Sequence, residues 1–142
     1  MSQSNTHDGD LLLSAGEDLS TYADVLVAPY NSAGQIVVTR PAANNDYALY
    51  VLVYGAASGG KATVRPMSPN RTVRIVAKGS GSAGDLLVLA DGVTTAADKG
   101  KVRSKSALTG GSGTYRLVGI AEEAFVDGQL VRTRPTFGTV TV

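Results

Sequence analysis

Residues 55–62, Gly-Ala-Ala-Ser-Gly-Gly-Lys-Ala, follow an apolar run and nearly spell a phosphate-binding loop. That chemistry requires a Ser or Thr directly after the Lys to hold magnesium, and a helix whose N-terminal amides face the anion. Here Ala62 stands in the hydroxyl position, and Thr63-Val64-Arg65-Pro66 continues as a β-branched run stopped by a proline. The stretch therefore reads as a hairpin turn. Gly79-x-Gly81-x-x-Gly84 matches the dinucleotide fingerprint letter for letter, but residues 85–90 (DLLVLA) are β-like. Without a helix there is no dipole and no row of free amides for a pyrophosphate, so this segment reads as a linker.

Acid–base and metal chemistry are equally poorly supplied. The chain has no Cys, which excludes thiolate chemistry, disulfides and thiolate zinc sites. Its single His, His7, sits in the polar opening MSQSNTHDGD, so no His pair exists to hold a metal, and a triad could draw its His only from this arm. Glu122 and Glu123 are adjacent and would point to opposite faces of a strand, whereas paired hydrolytic carboxylates must converge across about 5–10 Å. Asp85, Asp91 and Asp127 adjoin glycines in turns, where Asp bonds locally. No enzyme, cofactor or metal is expected.

Lys99, Lys101, Arg103 and Lys105 alternate strictly, and an extended strand would place all four on one face. Such a face is either a solvated, lysine-guarded edge or a charged interface for an acidic protein surface. Nucleic acid is not expected, because no aromatic lies among these bases to stack on nucleotides. The charges are also segregated. Residues 1–60 hold one base, Arg40, and six acids; the remainder holds twelve bases and six acids. Two poles would suit docking between neighbouring copies. Five of the six tyrosines lie between Tyr22 and Tyr54. They read as core or interface residues, with a sugar-stacking platform (Tyr22, Tyr30 or Tyr50) as the sharper alternative.

The elements that must carry these residues are strands. Residues 47–66 (YALYVLVYGAASGGKATVRP) and 115–135 (YRLVGIAEEAFVDGQLVRTRP) echo each other: Tyr, apolar run, Gly turn, second apolar run, Arg-Pro. Each reads as a β-hairpin ending at a proline that cannot donate to a ladder. Further strands are read at 23–30 and 35–40 around Asn31-Ser32-Ala33-Gly34, and at 72–77. A hairpin is also read from 85–90 to 93–97 through Asp91-Gly92. Only 94–99 and 121–125 have helical character, a turn or two each. With 17 glycines, no Trp, two Phe and 43% apolar residues, the spacing predicts an all-β fold. The form expected is a compact barrel or sandwich of repeated hairpins. Residues 1–10 read as a flexible arm and 11–142 as a single domain, divisible into lobes 11–78 and 85–142 joined by the Gly/Ser connector 79–84. No signal peptide and no apolar run of about 20 residues is visible, so a soluble cytosolic product with no membrane partner is expected.

The second half carries a more particular pattern. It runs Gly84-Asp85-Leu86-Leu87-Val88, Asp91-Gly92-Val93, Leu117-Val118-Gly119-Ile120-Ala121-Glu122, Asp127-Gly128-Gln129-Leu130-Val131 and Arg134-Pro135. From about Tyr47 to Pro135 the chain resembles the capsid decoration, or cement, proteins of tailed bacteriophages, with residues 119–122 as the most specific part. The resemblance implies a β-clip or β-tulip-like fold and a place on the outer surface of the virion head. It further implies a homo-oligomer, commonly a trimer, that bridges neighbouring major capsid protein subunits and stabilises the shell. No catalytic residues come with it. The capsid contact is expected in the arm (Ser2, Gln3, Ser4, Asn5, Thr6, His7) and in Leu11, Leu12 and Leu13, which could add a strand to a partner sheet. Lys99, Lys101, Arg103 and Lys105 form the charged interface of this reading. The alternatives are another virion component, such as a head fibre base or tail protein, and a carbohydrate-binding module.

Overall fold

Strand β5 (Lys61–Pro66) shows how the sequence writes this fold: Ala62 and Val64 are buried, while Lys61, Thr63 and Arg65 between them face outward. The same period of two recurs in residues 73–76, 102–104 and 130–141. The computed structural model describes residues 9–90, 95–108 and 113–142.

Five strands close on one another: β1 (Leu11–Ala15), β2 (Leu26–Ser32), β3 (Gln35–Thr39), β4 (Tyr50–Tyr54) and β5. They form a barrel in the order β1-β3-β2-β4-β5, with β5 pairing back onto β1. All pairs are antiparallel except β1 with β3. Leu19, Val27, Val38, Leu52, Ala62 and Val64 fill the interior, with Leu11 and Leu13 packed against them. Closure rests on short stretches, Ser14 and Ala15 against Val37 and Val38 and Leu26 and Val27 against Val51 and Tyr50, so the rest of β1 and β2 is paired on one side only. Gly55 lets the chain leaving β4 cross over the first loop. Leu19 donates its amide to Ala56, and a methyl group on Gly55 would overlap the Leu19 carbonyl oxygen.

The second half forms a five-stranded antiparallel sheet from β6 (Val73–Val76), β7 (Leu86–Leu89), β8 (Val102–Ser104), β9 (Thr114–Ala121) and β10 (Leu130–Thr141). The order is β6-β10-β9-β7-β8. The sheet curls until its edges meet: Ala77, just past β6, bridges Val102 of β8, and the Lys78 amide donates to the Val102 carbonyl at 2.7 Å. Its buried residues, including Ile75, Leu87, Leu89, Val118 and Val131, form one cluster with Leu26, Ala48 and Val51 of the first half. Hydrogen bonds reinforce the join, from the Leu26 amide to Gly100 and from the Val76 amide to Asp24. The change of sheet falls in residues 67–72, and the 79–84 connector joins β6 to β7 inside the second sheet.

The all-β reading holds, and both echoed segments are hairpins, β4–β5 and β9–β10. Two details differ. Pro135 does not end its strand. Pro135 stays in register opposite Gly119, and a slip between Pro135 and Gly138, a bulge just past the proline, is followed by renewed pairing to Thr141. Nor do residues 95–97, the described part of 93–97, form a strand. β7 lies between β8 and β9, and Ala96–Asp98 makes a 3₁₀ turn that buries the Asp98 carboxylate beside Lys78 and Lys101. The Asp91-Gly92 turn lies outside the described residues. Residues 121–125 hold no helix: Ala121 ends β9, Glu122 and Glu123 are bends, and Phe125 bridges Gly81.

Candidate interaction surface

Neither phosphate-loop look-alike precedes a helix. Residues 55–60 connect β4 to β5, and in the 79–84 connector Gly81 exchanges backbone hydrogen bonds with Phe125. Among the described residues no group of three or more His, Asp or Glu could hold a metal ion, and no helix is long and apolar enough to cross a membrane. Glu122 and Glu123 do not flank a cleft as a hydrolytic pair. Glu122 lies against Arg132 and Arg134, and Glu123 against Arg74, on the surface of the second sheet. A cleft of about 420 Å3 lies where barrel and sheet join and is lined by Arg65, Arg74 and Arg132. Each of these has a carboxylate partner: Asp10, Glu123 and Glu122 respectively.

Ser2, Gln3, Ser4, Asn5, Thr6 and His7 lie outside the described residues. The three leucines that follow do not act together. Leu11 and Leu13 turn into the barrel core, because alternation places them on the same side as Ala15; Leu12 is left on the outside, 66% exposed. Leu12 stands opposite Thr63, which in turn stands opposite Tyr54, itself 71% exposed. These three make an outward row across β1, β5 and β4. It could not be read from the sequence, because the register joining residues 12, 63 and 54 is set by barrel closure.

The alternating bases do not form one extended face. Only Val102–Ser104 is strand, while Lys105 opens a second 3₁₀ turn, Lys105–Ala107. Lys101 pairs with Asp98, and the Arg103 guanidinium donates to the Ala107 carbonyl. Two of the four charges are therefore taken up locally.

The β2–β3 hairpin projects beyond the barrel, so residues 29–36 are exposed on both faces. Ala33 and Gly34 both have positive φ, the two-residue geometry that fits the twist of paired strands, and the Gly34 amide donates to the Asn31 side chain at 3.0 Å. Beside its base the 41–47 loop is held firmly. The Asp46 carboxylate accepts from the Ala42 and Ala43 amides, both at 2.9 Å. From β9, Arg116 donates to the Asn45 and Asp46 carbonyls, and its guanidinium lies 4.4 Å from the centre of the Tyr47 ring.

Of the tyrosines read as a sugar platform, Tyr22 lies under the Arg40 guanidinium, 4.0 Å away, and packs with Tyr50 against the barrel core. Tyr30 alone is open.

No family model matches the sequence, and a search of curated proteins found no match. The fold is similar to that of the crystal structure of the head fiber gp8.5 N base of bacteriophage phi29. The TM-score is 0.65 over 90% of this chain and 93% of that chain, at 18% sequence identity. At that identity the likeness is one of fold.

Proposed function

We propose that the chain is a structural protein of a tailed-phage virion, acting as a decoration protein on the outer surface of the head. The observation that carries this reading is the shared fold with a phage head fiber base across nearly the whole of both chains. The resemblance of residues 84–135 to decoration proteins adds to it, and the described parts of that pattern fall on strands and connections of the second sheet. The mechanism is non-covalent. A rigid barrel presents apolar side chains to the major capsid protein, and many copies on a symmetric lattice turn modest contacts into high avidity. The row Leu12, Thr63 and Tyr54 supplies such a contact; in water it is unpartnered apolar surface, and on a capsid it would be covered. A trimer bridging adjacent capsid subunits is the assembly this reading favours.

The same structural likeness favours a second reading, the base of a head fibre, which would attach to the head without reinforcing it. One experiment separates the two. Purified heads are mixed with the protein, sedimented, and heated. Co-sedimentation with a raised disruption temperature supports the decoration role. Co-sedimentation with no change in disruption temperature supports the fibre base. No binding to heads defeats both.

A further inference from the structure

A cleft of about 320 Å3 opens between the projecting hairpin and the 41–47 loop, at the small end of the range typical of ligand sites. Tyr30 and Tyr47 line it, and they are 61% and 64% exposed. Exposed tyrosines are usually free to move, but Tyr47 is not. Its ring rests against Arg116, and that guanidinium is fixed by two carbonyls of the same loop. Asp46, also on the wall, is equally fixed: one carboxylate oxygen takes two backbone amides, which leaves the other as an acceptor in a set position. Arg40 lines the cleft too, and its Nε and Nη2 are held by the Glu17 carboxylate, both at 2.8 Å, so this wall is also fixed.

We propose that this cleft is a saccharide-binding site. A pyranose ring is apolar on its C–H faces and polar around its rim. It therefore suits a site that offers aromatic walls together with a fixed carboxylate. The two tyrosines would stack on the ring faces and Asp46 would accept from ring hydroxyls. Pre-organisation of Tyr47 and Asp46 lowers the entropy lost on binding, which matters most for a ligand that gains little per contact. The proposal rests on the cleft alone and does not depend on the capsid reading.

The test is titration of the full chain with neutral and N-acetylated oligosaccharides (maltotriose, cellotriose, chitotriose), followed through the tyrosine ring resonances. At least one sugar should shift the Tyr30 and Tyr47 signals saturably. Tyr47→Ala should weaken that binding tenfold or more. Tyr47→Phe, which keeps the stack on Arg116, should retain most of it. Phe137→Ala, which removes an exposed aromatic side chain outside the cleft, should leave it unchanged. The proposal is overturned if no sugar moves these signals, if Tyr47→Ala binds normally, or if a proline-rich peptide displaces the sugars as the better ligand.

Discussion

Leu26 and Val51 stand directly opposite each other on β2 and β4, and both are turned away from the barrel interior into the apolar cluster shared with the second sheet. The pair makes the barrel wall a two-sided core. Val27 and Leu52, their chain neighbours, fill the interior, while Leu26 and Val51 receive the second sheet on the outside. The two halves therefore share buried surface and should unfold together.

Leu26→Ala tests that coupling. Leu26 is fully buried, and truncation should cost about 2–5 kcal/mol. Urea unfolding followed by tryptic protection at sites in both halves should show one shifted transition. A second transition confined to residues 73–142 would mean the halves are independent.

Ala33→Asn should stabilise the protein by about 0.5–1 kcal/mol, because Ala33 holds a left-handed φ of 49° that asparagine tolerates better ahead of Gly34. Thermal unfolding is the readout. A lower melting temperature would show that the hairpin turn is not the two-residue form described.

Gly55→Ala should be among the most damaging single changes, at about 3 kcal/mol or more, since the added methyl group meets backbone rather than a movable side chain. Gly59→Ala, with open space around it but φ of 85°, should cost only about 1 kcal/mol. Equal costs by denaturant titration would contradict the close crossing of Leu19 over β4's exit.

Acid should weaken the fold through its surface carboxylates. Asp127 is held below the ordinary value of 3.8 by the Gly79 amide, Asp10 by its hydrogen bond from Arg65, and Asp18 by Ser20. Because each folded value lies below the unfolded one, the stabilisation is complete above the ordinary value and is lost as pH falls through the lowered ones. The urea midpoint should be flat from about pH 7 to 5 and fall below about pH 4. Asp127→Asn should make that fall shallower. A midpoint rising with acid would reverse the sign of the argument.

Side-chain alternation and turn chemistry made the strands legible in the sequence. Val73–Val76, the Asn31–Gly34 turn and both echoed hairpins required only local information, because a period of two and a Gly-bearing turn are decided within a few residues. The lack of cysteine and the single histidine likewise limit the available chemistry through composition alone, whatever the fold.

What remained hidden was long-range. The closure of β5 on β1 decided that Leu12 faces outward with Tyr54 while Leu11 and Leu13 face in. The approach of Arg116 to a loop 70 residues earlier decided that Tyr47 is a fixed wall rather than a loose side chain. The burial of Asp98 among lysines decided that the alternating bases are not one charged face. In each case the order of residues determines which groups exist and their local phase. Which of them meet is set by packing between segments far apart in the chain, and no local pattern encodes it.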